Sequence, residues 1–250
     1  MNEKKKERER ERDDFKYVSD RVVEAFINKN NLKFNGELTQ HFNFSRVVCL
    51  ADFQQILNRH NLKNFQNIAV VSGSKLEPEL RIIDYNYLDL LNYNFSTNLY
   101  NLDEDWSKLN DCKNDKYNLV LCNQVLEHIY SPLQALKNLS YITRPGGYIW
   151  VSVPVVNCIH GEPFFYSSGY HPRYLRRLAN EVKLECVHIG AWGNKNYLAS
   201  AVIGKWLTYD NLKKKINNIQ ELVKFFTLKN SIKNDLTGNF ITDTWALLKK

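Results

Sequence analysis

Residues 117–154, "YNLVLCNQVLEHIYSPLQALKNLSYITRPGGYIWVSVP", limit the fold more than any other stretch of the chain. Two short apolar runs, "YNLVLC" and "GYIWVSVP", are too continuous for strands with one wet face and read as strands buried on both faces of a parallel sheet. Between them, Leu133, Ala135, Leu136, Leu139 and Ile142 recur at helical spacing. Ser131 at the cap and Pro132 at the first helical position start that helix, and Pro145-Gly146-Gly147 ends it in a turn that needs positive φ. Strand, crossover helix and strand in this order make a right-handed βαβ unit. Runs of the same kind, "NIAVVSG" at 67–73, "LRIID" at 80–84, "LECVHIGAW" at 184–192 and "DTWALLKK" at 243–250, predict further strands.

The chain before residue 66 carries a different signal. Phe15, Val18, Val22, Phe26 and Ile27 predict an amphipathic helix over 15–28, and Val47, Leu50, Ile56 and Leu57 a second over 46–60. Residues 1–65 thus read as a helical extension outside the sheet, and residues 66–250 as one α/β domain, a size that buries a sizeable core. Two later helices are expected, in "PRYLRRLANEV" and over 207–228.

Composition excludes several classes. No apolar run approaches the roughly 18 residues of a membrane span, and the amino terminus lacks the apolar core of a secretory signal, so a cytoplasmic location is expected. The five cysteines are odd in number, far apart and without a CxxC pair, which argues against a disulfide framework or a zinc knuckle. The net charge of +7 is not concentrated at the amino terminus, where six basic and six acidic side chains cancel within fourteen residues. Lys213 to Lys215 form a local cluster, most simply a solvated helix face, and nucleic acid is not indicated as a partner.

The "VLEHI" and "RPGG" elements, seventeen residues apart from His128 to Pro145, resemble the fourth strand, helix and fifth strand of class I S-adenosylmethionine-dependent methyltransferases of the type 11/23 kind. The resemblance extends over residues 66–250 and implies a Rossmann-like, seven-stranded, mostly parallel sheet of order 3-2-1-4-5-7-6 whose last strand is antiparallel. It also implies S-adenosyl-L-methionine as cofactor and transfer of its methyl group, a reaction that needs no metal because the sulfonium is already activated.

One departure stands out. The family's GxGxG loop is reduced here to Gly73, flanked by Ser72 and Ser74, small residues that can still hydrogen-bond a carboxylate. By family position Ser72, Gly73 and Ser74 would cradle the cofactor, Asp103 would lie near the adenine, and Asn123 and Gln124 near the methionine moiety. Asp84, at the end of "LRIID", is the expected ribose ligand, with Asp89 as competitor, since a carboxylate accepts from both hydroxyls of a diol. For each carboxylate a helix-cap or turn role is the alternative.

Three histidines, His128, His160 and His171, fall where acceptor pockets form in this family, and an imidazole suits proton removal from an alcohol near neutral pH. His128 and His171 have capping roles as alternatives. The loop "HGEPFFYSSGYHP" interleaves aromatic and polar residues, which suits stacking on sugar faces, though core packing explains the aromatics nearly as well. The expected function is O-methylation of a sugar hydroxyl in a glycan or polysaccharide precursor. The alternatives are a small-molecule or lipid methyltransferase, and a pseudo-methyltransferase that serves as a scaffold. The helix at 15–28 either caps the site or pairs two copies of the chain.

Overall fold

The computed structural model describes residues 15–29, 44–110, 112, 114–193 and 241–250. The charged first fourteen residues, the helix expected over 207–228 and the Lys213–Lys215 cluster lie outside them. In chain order the elements are β1 (Lys16–Tyr17), α1 (Asp20–Lys29), α2 (Phe44–Arg59), β2 (Asn64–Val71), β3 (Asp84–Leu91), β4 (Tyr117–Asn123), α3 (Pro132–Ile142), β5 (Thr143–Pro154), α4 (Pro172–Glu181), β6 (Glu185–Trp192) and β7 (Asp243–Lys249).

Among the described residues these strands form one seven-stranded sheet in the order β1-β6-β7-β5-β4-β2-β3. β7 runs antiparallel to β5 and β6, and every other neighbouring pair is parallel. The architecture is the Rossmann-like α/β sheet that the sequence predicts, with the antiparallel strand at the end of the chain. With β2 as the first family strand, six strands follow the expected order. The seventh differs. Outside β3 the described chain makes only an isolated bridge, Asn94 to Leu99, because Asn94 turns it there by accepting from the Ser96 and Thr97 amides at 2.9 and 3.2 Å. The remaining sheet position is filled at the opposite edge by Lys16–Tyr17 on β6.

That pairing corrects the amino-terminal reading. Residues 15–17 are extended and the helix begins only at Asp20, so the segment before residue 66 enters the sheet. The Tyr17 hydroxyl donates to the Gly193 carbonyl and anchors the strand.

Alternation along the inner strands builds two cores. Ile68, Val70, Leu119, Leu121, Trp150, Trp245 and Leu247 face α1 and α2, while Ala69, Val71, Val120, Ile149, Val151, Ala246 and Leu248 face α3 and α4. Each fully buried Leu, Ile or Val side chain contributes about 1.5–3 kcal/mol relative to exposure. α2 is also pinned by polar contacts, since Asp52 Oδ2 accepts from His188 Nε2 and from Trp245 Nε1, each at 2.7 Å. Gly190 permits this, because a Cβ there would overlap both Trp245 Nε1 and the Asp52 carboxylate. α3 begins as expected with Pro132 in its first turn, although the Ser131 hydroxyl makes no capping bond. Gly146 takes the positive φ of +76° that the turn requires. No helix among the described residues is long and apolar enough to cross a membrane.

Candidate active site

In an open sheet of this kind, ligands bind beyond the carboxyl ends of the parallel strands. The chain leaves β2 at Ser72, β3 at Asn92 and Tyr93, β4 at Gln124 and β5 at Val155. A cavity of about 440 Å³ opens there, within the 300–1,000 Å³ typical of small-molecule sites. Ser72 and Gln124 form its floor, Tyr93, Tyr100 and Asp103 line it further up, and His128, Phe164 and Tyr166 form its rim, which Phe95 joins with its ring 5.7 Å from that of Phe164.

Both floor residues sit in the left-handed region, Ser72 at φ +52° and Gln124 at φ +55°. Each is held there by its amide, Ser72 donating to Leu91 O at 3.1 Å and Gln124 to Ser152 O at 2.7 Å. The loop after β2 therefore keeps its sharp turn without a glycine at residue 72. The glycine it does keep is sterically required: a Cβ on Gly73 would lie 2.6 Å from Val70 Cγ1 and 3.0 Å from Glu77 Oε1.

Glu77 belongs to a buried polar network beneath this loop. Arg46 Nη2, from the start of α2, lies 3.3 Å from Glu77 and 3.2 Å from Glu79, and Arg46 Nη1 donates to Ser152 Oγ at 2.8 Å. Asn123 Nδ2 donates to Glu77 Oε2 at 2.9 Å, and Asn123 Oδ1 accepts from Ser152 Oγ at 2.8 Å. Burial, and then the neighbouring Glu79, raises the Glu77 carboxyl above its ordinary range, against Arg46 and Asn123. Asp243, at the start of β7, is pushed up to about 6 by burial despite hydrogen bonds from Ser45 and Thr242.

Asp103 fixes the far side of the cavity. Its carboxylate accepts from the Ser131 amide at 2.7 Å and the Tyr130 amide at 3.3 Å, which ties the segment before β4 to the start of α3. The rim is built on Glu127, whose carbonyl accepts the Tyr166 and Ser167 amides at 2.9 and 3.1 Å and so draws the loop after β5 over the end of β4. His128 Nδ1 meets the Phe164 carbonyl at 2.9 Å, and its ring stands edge-on to His160 at 4.7 Å between centroids. Burial pushes the Glu127 carboxyl up to about 7.

Of the residues read from sequence, Ser72, Asp103, Gln124 and His128 line the cavity. Gly73 and Asn123 stand behind its floor, and His160 adjoins its rim beside Gly161. Ser74 turns outward, its hydroxyl accepting from the Leu76 amide at 3.1 Å. Two expectations are corrected. Asp84 lies at the amino end of β3, paired with Asn64, because "LRIID" runs out of a 3-10 turn (Pro78–Arg81) through a bend and reaches the strand only at its last residue; it faces solvent at the end of the sheet away from the cavity. His171 caps α4, with Nδ1 accepting from the Arg173 amide at 3.2 Å and its ring against Phe15 at 5.8 Å. Asp89 is likewise engaged elsewhere, with Lys116 at 2.5 Å and the Tyr117 hydroxyl at 2.9 Å. Sequence reasoning missed Arg46, Glu77, Glu127, Tyr93 and Phe95. Tyr93 had a signal, since it stands two residues past the true strand "DYNYLDLL", next to Asn92, which follows β3 as Ser72 follows β2.

A family model described as a methyltransferase domain matches residues 36–207. The chain thus belongs to the class I S-adenosylmethionine-dependent methyltransferases, with S-adenosyl-L-methionine as methyl donor. Among solved structures it is similar to a SAM-dependent methyltransferase from Archaeoglobus fulgidus, at 12% identity over 80% of this chain and 94% of that one, TM-score 0.45. A putative sarcosine dimethylglycine methyltransferase from Galdieria sulphuraria matches at 13% identity over 82% and 87% of the two chains, TM-score 0.48. A third, the 1,6-didemethyltoxoflavin-N1-methyltransferase of Burkholderia thailandensis, holds 1,6-didemethyltoxoflavin and S-adenosylhomocysteine and matches at 10% identity over 80% and 77%, TM-score 0.44. No curated protein matches the sequence.

Proposed function

We propose that the protein is an O-methyltransferase that methylates a sugar hydroxyl of a glycan or polysaccharide precursor. The observation that carries this reading is the composition of the cavity rim, where Phe95, Phe164 and Tyr166 line the same cavity as His128 and the Phe95 and Phe164 rings meet at 5.7 Å. Flat rings suit the apolar faces of a sugar, and imidazoles suit a hydroxyl. The cofactor side is the floor and far wall. Ser72 and Gln124 would receive the methionine moiety, Asp103 the adenine side, and Tyr93 the ribose and base, taking a place where the family carries an acid. Gly73 and Asn123 support this side from behind. The helices before residue 66 contribute through Arg46, which holds the loop after β2.

The chemistry required of these residues is modest. When bound, S-adenosylmethionine would supply a methyl group already activated by its sulfonium, the acceptor oxygen taking the methyl carbon in line while the electron pair of the broken carbon–sulfur bond stays with sulfur. Holding the two atoms about 3 Å apart supplies most of the rate. The hydroxyl proton leaves as charge develops on oxygen, and the Glu127, His128 and His160 corner is where it would be lost.

A second reading, a methyltransferase fold kept as a scaffold, is favoured by one feature: neither Asn92 nor Tyr93 at the end of β3 is a carboxylate. One experiment addresses both. Purified protein is incubated with methyl-labelled S-adenosylmethionine and a panel of oligosaccharides, small phenols and lipids, alongside calorimetric titration with S-adenosylhomocysteine. Label on sugars supports the proposal. Label on another acceptor alone retires the sugar, and folded protein that binds no cofactor favours the scaffold.

A further inference from the structure

Glu127, His128 and His160 each offer one ligand atom within 4.8 Å of the others. Three observations show that this corner is organised and not a chance meeting of polar side chains. His128 Nδ1 lies 2.9 Å from the Phe164 carbonyl and His160 Nδ1 lies 2.8 Å from the Cys158 carbonyl. A carbonyl oxygen only accepts, so in each ring Nδ1 carries a proton and the neutral imidazole keeps its lone pair on Nε2, the arrangement by which proteins orient metal-binding histidines. Glu127, only 1% exposed, has an Oε2 with no hydrogen-bond partner, which is costly for a buried carboxylate oxygen unless a cation or donor meets it. Gly161, finally, lets the loop after β5 close on the site, because a Cβ there would stand 3.0 Å from His128 Cε1.

We propose that Glu127, His128 and His160 bind one divalent transition-metal ion at the rim of the cavity. Two imidazoles and a carboxylate suit Zn²⁺, Fe²⁺, Co²⁺ or Mn²⁺ better than Mg²⁺ or Ca²⁺, which prefer all-oxygen shells, and three protein ligands leave further positions open. This deepens the O-methyltransferase reading and rests on it for its purpose. The sulfonium needs no metal, but a hydroxyl bound at an open position would be acidified by the ion as it is presented to the methyl group. The ion would also bridge the segment after β4 and the loop after β5.

The test is titration of the full-length protein, dialysed against a chelator, with CoCl₂, following the visible absorption of protein-bound cobalt; MnCl₂ followed by electron paramagnetic resonance is the second probe. Expected is one saturable equivalent with micromolar affinity, released by excess Zn²⁺. His160 is exposed, so His160→Ala should stay folded by circular dichroism yet bind cobalt at least tenfold more weakly, and His128→Ala should do the same. Glu127→Gln is the third variant, read by the same titration where it folds. Wild-type protein without a saturable equivalent, or histidine variants that bind as wild type does, would overturn the proposal. No cofactor is present in the titration, so a failed methyl-transfer reading leaves its result standing. Conversely, protein that binds S-adenosylhomocysteine but no cobalt keeps the methyltransferase reading and loses the metal.

Discussion

The Asn123 side-chain amide donates to Glu77 Oε2 at 2.9 Å, so the carboxyl end of β4 is tied directly to the loop that follows β2. The same Glu77 oxygen lies 3.3 Å from Arg46 Nη2. Three stretches of chain far apart in sequence thus meet beneath the loop after β2, where the Arg46 charge faces both Glu77 and Glu79.

Arg46→Met would leave Glu77 and Glu79 facing each other without their cation. Breaking a buried ion pair from one side costs about 3–5 kcal/mol, and Arg46 and Glu79 are buried. Urea unfolding at neutral pH should show a loss of that size, and protein that remains folded should bind S-adenosylhomocysteine more weakly. An unchanged midpoint would mean the network does not hold the loop.

Asp103→Ala removes the acceptor for two backbone amides, Tyr130 and Ser131. These bonds are exposed or partly buried, so losing them costs about 0.5–1.5 kcal/mol each, and the wall they position should loosen. We expect a lower melting temperature and S-adenosylhomocysteine affinity reduced about tenfold, read by calorimetry; affinity equal to wild type would remove Asp103 from the cofactor wall.

Ser72→Gly tests the strained floor. A non-glycine residue in the left-handed region costs about 1–2 kcal/mol, part of which glycine returns as greater freedom of the unfolded chain. The variant should be more stable by about 0.5–1 kcal/mol, with cofactor binding retained. A destabilised variant would show that the Ser72 side chain contributes more than its backbone strain costs.

Asp243 sets a pH dependence. Its carboxyl is raised to about 6 in the folded protein, against about 3.9 in an unfolded chain. The folded state then binds more protons between these values, and its stability falls as pH rises from about 4 to about 6, by about 3 kcal/mol in total. Asp243→Asn has no such group, so wild type should lose about that much more stability than the variant between pH 4 and pH 7. Parallel curves would show the carboxyl to be unperturbed.

What was legible in sequence follows the strength of burial. β2, β4, β5, β6 and β7 carry apolar runs because both of their faces are covered, and Ser72, Gln124 and His128 could be found from the strand ends. β3 was missed because it is the sheet edge. Tyr85 and Tyr87 remain exposed there and dilute its pattern, while the greasier "LRIID" spends its apolar residues on a short buried turn. That displacement moved the expected ribose ligand to Asp84, one element too early. Arg46 was invisible for another reason, since nothing local announces that a cation in α2 will meet a carboxylate thirty-one residues later. The third family strand failed because Asn94 turns the chain before it can pair.

Arg46 and Asp52 project from one helix, α2, about 9 Å apart along its axis, and Asp52 is seated against Trp245 only because residue 190 has no side chain. The loop after β2 and a glycine on β6 therefore share a single fastening. A genetic screen for lost activity would recover Gly190 among its hits although it touches no ligand, and the inheritance of this site extends well beyond the residues that line it.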